Sequence, residues 1–267
     1  MRFPLLGAAL LTTAAILALL GPALAPYDPK LVTGMPLLPP DRAHLLGTND
    51  IGQDVLSEWL WAARASLLVA ALITALSTIL SWSVGMVAGV WRQAEGPLMA
   101  LADLLLAIPS LLLYLLVVTL IGPSQRHVAL TLGLLSWPAF ARIVRAQVIA
   151  IRGRTHIESA RALGATAYRI AWVHVFPGTV GLLPAKIVLT VRFAIFAEAT
   201  LAFLGLGDPS IQSWGAMLGW AFAYPLLFAG RAWLWWALPP ALSIVLVVLA
   251  TTWLATGLEA VAEQRPS

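Results

Sequence analysis

Six stretches of this chain are long and apolar enough to cross a bilayer as helices, and that fixes its class before any motif is considered. A spanning helix needs about 20 mostly apolar residues. Residues 4–24, 66–90, 98–121, 128–149, 179–206 and 238–257 qualify. Composition agrees: 60% of the 267 residues are hydrophobic and 10% are charged, against roughly 45–50% and about 25% in soluble domains. The expectation is an all-α integral membrane protein with six transmembrane helices, in contact with the lipid bilayer. A weaker apolar stretch, residues 214–236, is interrupted by Gly219, Pro225, Gly230 and Arg231. It reads as an external or interfacial region with a short helix, not a seventh span.

Charge sets the expected orientation. With the N-terminus inside, the inner segments hold Arg2, Arg92, Arg142, Arg145, Arg152, Arg154, Arg161, Arg169 and Arg265. The outer segments hold Lys30, Arg42, Arg64, Arg126 and Arg231, diluted by Asp28, Asp41, Asp50, Asp54, Glu58 and Asp208. Basic residues favour the cytoplasmic side, so six spans with both termini cytoplasmic fit. The net charge of +4 follows from this placement beside spans, and nucleic acid is not an expected partner. Cysteine is absent, which excludes disulfides, thiolate metal sites and a cysteine nucleophile. The four histidines are scattered, with no pair at helical metal-ligand spacing.

The N-terminus resembles a signal peptide in carrying Arg2, an apolar stretch and Ala23-Leu24-Ala25. The apolar stretch is longer than a usual signal core and Pro26 would follow the cut, so it is expected to remain as the first span. Residues 25–41 are Pro-rich and aperiodic, a loop over the outer mouth. Beyond it, Asn49 or Asp50 is placed to cap a helix, with Asp54 near its dipole. Val55, Leu56, Trp59, Leu60 and Ala63 recur at helical spacing, with Gln53, Asp54, Ser57, Glu58 and Arg64 elsewhere. That pattern predicts an amphipathic helix on the outer surface, leading into the second span. It serves either as an interfacial anchor held by Trp59 and Trp61 or as a contact for a substrate-delivering partner.

The segment 151–177, IRGRTHIESARALGATAYRIAWVHVFP, gathers Arg152, Arg154, Arg161 and Arg169 between apolar runs. A loop this basic is expected on the cytoplasmic side, shaped to touch something there. Thr155 is placed to cap a short helix, with Glu158 completing a capping box. Ser159, Ala160, Ala162 and Ala165 present a small-residue surface that another protein can approach closely. Gly164 marks a stop or turn. Tyr168, Ile170, Ala171, Trp172 and Val175 are expected on the apolar face of the return. Pro177 is expected to open the fifth span, where its missing N–H costs little.

These residues resemble the EAA loop of the membrane subunits of bacterial ABC importers: Glu158 stands for the Glu, Gly164 for the glycine and Pro177 for the proline. Ser159 replaces the middle Ala and His174 an aliphatic residue, both mild departures. Three further stretches resemble the second-type permease of dipeptide, oligopeptide and nickel importers. They are LLGTNDIGQDVLSEWLWAARASLLV (45–69), ADLLLAIPSLLL (102–113, with Asp103 and Pro109) and AEATLAFLGLGDPSIQSWGAML (197–218). They stand in the family's order and cover most of residues 44–218.

The resemblance implies a type I ABC importer permease fold. Residues 1–65 would supply the first span, the outer loop and the amphipathic helix, and residues 66–267 the permease core with its coupling loop. It implies a coupling helix, formed by Glu158, Ser159, Ala160, Arg161, Ala162, Leu163, Gly164 and Ala165 with Pro177, docking on an ATPase. The implied partners are a homologous permease subunit in a heterodimer, two ATPase subunits or domains, and an extracytoplasmic solute-binding protein. The implied solute is a short peptide, with a nickel chelate as the alternative. An ATP-independent carrier is a more distant alternative. The implied location is the bacterial cytoplasmic membrane.

No nucleophile–base constellation and no G-x-x-x-x-G-K-[ST] sequence occurs. The chain is therefore expected to be non-catalytic, without a cofactor or metal of its own, and the partner subunits to bind ATP and Mg. Charged residues within spans are costly and point to function or pairing. Asp103 is a gate candidate near the inner end of its span. Glu198 is expected to pair with a cation, across a subunit boundary if not within the chain. Arg192 is a candidate to line the path for peptide carboxylates, and Lys186 is expected to snorkel to the inner boundary. Gly205 and Gly207 are expected to end the fifth span, and Pro109 and Pro138 to kink theirs.

Overall fold

The chain is described by a computed structural model covering residues 2–263. Arg265 lies outside the described residues, as do the side chains of Arg2 and Arg161. Helices run α1 (Arg2–Leu24), α2 (Val55–Val90), α3 (Arg92–Ala107), α4 (Ser110–Ile121), α5 (Gln125–Leu135) and α6 (Pro138–Arg152). They continue as α7 (Thr155–Ala162), α8 (Ala167–Arg169), α9 (Phe176–Thr179), α10 (Leu183–Phe203), α11 (Trp214–Ala223) and α12 (Leu238–Glu263). A π-helical turn, Ile170–Val175, joins α8 to α9, and a 3-10 turn, Val180–Leu182, joins α9 to α10. Five helices are long and apolar enough to cross a membrane, and a sixth crossing exists if α3 and α4 count as one.

The third expected span, 98–121, is not one straight helix. It breaks between α3 and α4 with a bend of 90°. Pro109 is the cause. It clashes with the preceding residue's helical conformation, and Ile108 is extended at φ −89°, ψ 131°. The fourth span breaks more gently between α5 and α6, ahead of Pro138. There two hydroxyls from α2 meet the backbone carbonyls at the break: Ser77 Oγ donates to Ser136 O at 3.3 Å and Ser81 Oγ to Trp137 O at 3.2 Å. Hydroxyls of a neighbouring helix thus brace the backbone at the break. Trp137 is buried at this break.

The long helix α2 is the hub, packed against α1, α5, α6 and α10, while α12 packs on α1 and α10. Its contact with α6 depends on two glycines one turn apart. A Cβ on Gly85 would stand 2.6 Å from Val144 Cβ and 2.7 Å from the Ala141 carbonyl. One on Gly89 would stand 2.6 Å from Val148 Cβ. This is the small-x-x-x-small surface by which membrane helices approach closely.

The expected surface helix before span 2 is instead the first turns of α2 itself. Its N-cap is Asp54, not Asn49 or Asp50: the carboxylate accepts from Ser57 N at 2.8 Å and Ser57 Oγ at 2.7 Å. Ser57 and Glu58, expected to face away from the apolar side, are buried. The outer loop folds over them, and Tyr27 N donates to Ser57 Oγ at 3.1 Å. Asn49 organises the turn before the cap and donates to Glu58 Oε1 at 3.2 Å. His44 Nδ1 completes the cluster, 2.9 Å from Asp54 Oδ1. Asp54→Ala removes a helix cap and strands buried His44 and Ser57. The expected cost is about 2–4 kcal/mol, read as a lowered thermal midpoint of the purified protein in detergent.

Residues 214–236 contain only α11 and a 3-10 turn, Ala232–Leu234, too short to span. This agrees with a short-helix region between the fifth and last spans.

Candidate functional site

The Arg-rich segment folds as α7, a tight turn and a return through α8. Its first helical acceptor is the carbonyl of Arg154, which takes Ile157 N and Glu158 N. Thr155 is therefore the first residue inside the helix, not the cap, and the expected capping box does not form. The cap belongs to the return instead: Thr166 Oγ1 accepts from Arg169 N at 3.3 Å. Gly164 does end α7. It sits at φ +85°, and Ala165 N reaches back to Ala160 O at 3.0 Å, the six-residue closure that favours glycine.

Two faces of this segment have opposite fates. Ile157, Ile170, Ala171 and Val175 are buried, in one cluster with Trp82, Met86 and Val90 of α2 and Val144, Val148 and Ile151 of α6. The segment is thus rooted in the ends of two spanning helices. Arg152 adds a polar tie, donating from Nη1 to the carbonyl of Gly89. The other face is open: Glu158, Ser159, Ala162 and Gly164 are exposed, Ala160 is half-buried and Leu163 is 90% exposed, while half-buried Ala165 packs against the inner cluster. Tyr168 and Trp172, expected on the apolar face of the return, are exposed as well, their rings tilted at 56° with centroids 6.2 Å apart. Exposed apolar groups thus sit beside exposed charge on a firmly rooted segment.

Pro177 does not open the fifth span. The return helix is already running from Ala167, and Pro177 stands in α9 after the π turn. A proline has no N–H to offer the fourth residue back, and the ladder is widened just ahead of it, with Phe176 N bonded to Ala171 O. Trp82 of α2 ties this junction through Nε1 to Thr179 Oγ1 at 3.1 Å.

At the same end of the molecule, α3 is clipped to α6 by two ion pairs, Asp103 with Arg142 and Glu95 with Arg145. Asp103 is therefore paired on an exposed surface rather than standing alone in a span. Glu198 is fully enclosed, its carboxyl against the hydroxyls of Ser66 and Ser213, with Oε2 unpartnered. No ion pair among the described residues involves it. Arg192 is exposed on α10, on the side that carries Leu189 and Phe196. Lys186 does not snorkel: it is buried, and Nζ donates to Ser77 Oγ at 2.9 Å. Glu158, Ser159, Ala162, Leu163 and Gly164 thus share one exposed surface, with Pro177 apart from it in α9, while Asp103, Arg192 and Glu198 lie elsewhere.

The opposite end carries two adjoining grooves of about 500 and 460 Å³ that share Lys30, Ser210 and Gln212. Trp61 and Arg64 line the second. Hydrogen bonds from Ser210 hold the Asp208 carboxyl below the usual carboxylate range, while burial raises that of Asp50.

Sequence reading missed the buried Glu58, the pairing of Asp103 and the Gly85/Gly89 contact. The last had a visible signal, a G-x-x-x-G inside an apolar stretch.

A family model described as the binding-protein-dependent transport system inner membrane component matches residues 81–265. The di/tripeptide transport system permease protein DppC of Pseudomonas aeruginosa is 37% identical over 90% of this chain and 81% of its own length. The glutathione transport system permease protein GsiD of Pectobacterium atrosepticum is 34% identical over 82% and 72%. The dipeptide transport system permease protein DppC of Escherichia coli is 36% identical over 88% and 80%.

Proposed function

Since this chain belongs to the binding-protein-dependent transport system inner membrane components, the permease subunits of ABC importers, we propose that it moves short peptides inward under the control of separate ATPases. As a member it is a multi-pass protein of the cytoplasmic membrane and a transport component. The finer reading concerns coupling, orientation, partners and solute.

The observation that carries it is the two-faced segment after α6. Its buried face is locked to α2 and α6, with Ala165 packed at its edge, and its open face offers Glu158, Ser159, Ala162, Leu163 and Gly164 with half-buried Ala160. A lever needs both a grip and a root. An ATPase that changes shape on binding ATP and Mg would push the exposed face, and the push would arrive at two spanning helices. This is a two-state switch in which the contact differs between states. The two ends of the molecule fit this use: the arginines of 142–169 gather with the lever, which supports a cytoplasmic side for it and for both termini. The grooves at the other end, with Trp61, Arg64 and Lys30, would receive the solute-binding protein. The partner permease would be a homologous second chain. Pro177 serves the lever as the fixed point of the return helix, and Asp103 keeps α3 moving with α6.

The relatives are named for dipeptides, di/tripeptides and glutathione, all of them short peptides, which favours that solute class over a nickel chelate. The test is uptake by proteoliposomes holding this chain with its partner permease, ATPases and binding protein. ATP-dependent, saturable uptake of labelled dialanine is expected. Uptake of chelated nickel with none of dialanine would overturn the solute reading.

A further inference from the structure

A cavity of about 530 Å³ opens where the broken pairs α3–α4 and α5–α6 face α10. Its volume lies within the roughly 300–1,000 Å³ of small-molecule sites. Leucine, phenylalanine and proline make most of its wall, and Lys186 is the one charged side chain among its described lining residues. Lys186 is 4% exposed. One of its ammonium protons goes to Ser77 Oγ at 2.9 Å, and the ring of Phe140 lies 5.0 Å from Nζ. An ammonium has three donors, and no carboxylate among the described residues pairs with this one. Close by in the same wall, Ser136 Oγ is buried without any partner. Tyr114 and Thr190 add hydroxyls. A cation held inside a span without an acid is a functional group by default, and here the structure around it supplies donors and space but no anion.

We infer that Lys186 and the cavity beside it bind the carboxylate of a short peptide as it crosses the membrane. The inference rests on the peptide reading above. The C-terminal carboxylate is the one anionic group that all short peptides share whatever their side chains, so a single cation in an otherwise apolar cavity suits a carrier of varied peptides. Ser136 and Thr190 are placed to donate to the second oxygen. The chain's lack of cysteine gives a clean probe of the cavity.

Two experiments on the reconstituted full complex test it. In the first, dialanine uptake is compared among wild type, Lys186→Gln and Lys186→Arg. The glutamine variant should lose about tenfold or more with ATPase stimulation by the loaded binding protein retained, and arginine should preserve uptake. In the second, Leu189→Cys, a lining position of the same cavity that leaves Lys186 in place, is labelled with a small thiol reagent and the modification of this chain is read by mass spectrometry. Dialanine should slow labelling, and dialanine amide, which lacks the carboxylate, should not. Wild-type uptake at the glutamine variant, or equal protection by acid and amide, would overturn the Lys186 site and leave the peptide reading standing. A wild-type complex that hydrolyses ATP yet imports no peptide would overturn the peptide reading, and this site with it.

Discussion

Gly164→Val should leave this subunit in the membrane at normal levels and disconnect ATP hydrolysis from uptake. Gly164 sits at φ +85°, and a Cβ there would meet nothing within 4 Å. The harm therefore comes from the backbone, not from a clash. A left-handed residue with a side chain costs roughly 1–2 kcal/mol, and a β-branched one more. A penalty of that size lowers the population of the turn by about 5–30-fold. The chain can escape by unwinding the end of α7, which re-aims Leu163 and Ser159. The root is untouched, because Ile157, Ile170, Ala171 and Val175 keep their contacts with α2 and α6. Asparagine tolerates the left-handed region, so Gly164→Asn should restore most uptake. Uptake and ATPase activity measured together on the two variants check this. Equal loss in both would point to a need for the missing side chain itself.

Gly85→Leu combined with Gly89→Leu should do the reverse and remove the folded subunit. Both glycines face α6 with no room even for a Cβ, the nearest atoms being 2.6 and 2.5 Å away. Extra carbons in a packed contact cost about 1–3 kcal/mol each time, and occasionally more. Two leucines one turn apart cannot share a single adjustment. Either α6 moves off α2, or α2 bends, and both routes open the cluster that holds the lever. The hydroxyl bridges from Ser77 and Ser81 to the α5–α6 break lie on the same helix and would be strained with it. Gly96→Leu is the matched control, since a Cβ there meets nothing within 4 Å. The expected result is loss of the double variant from washed membranes and fast proteolysis of what remains, with Gly96→Leu at the wild-type level. Normal levels of the double variant would mean that α2 and α6 do not pack this closely.

The hydropathy of the spans and the stop at Gly164 were legible in the sequence because each depends on residues close together in the chain. The short helix 155–162 was legible too, but its cap was misplaced by one residue, within the range by which helix ends vary. The 90° bend at Pro109 was foreseen only as a kink. How far a proline opens a helix depends on what receives the second half, here α5. The polar residues within the spans were hardest. Lys186 meets Ser77 and Asp103 meets Arg142 across large sequence separations. A single sequence gives the cost of each charge but not its partner. Ser57 and Glu58 failed for a related reason: helical spacing put them on the polar side, while a loop earlier in the chain folded over them. Arg192 remains exposed on α10, as a side chain must be if a second subunit or the solute is to meet it.

The account turns on whether the open face of 155–165 is held by an ATPase, and one cross-linking measurement addresses that. The chain has no cysteine, so Leu163→Cys gives a unique thiol at a position 90% exposed. In the assembled importer, a short homobifunctional thiol reagent should join this position to a cysteine introduced on the ATPase surface, with a yield that changes when ATP is added. Labelling of the same thiol by a membrane-impermeant reagent from outside intact cells, with no ATPase adduct in any nucleotide state, would contradict it.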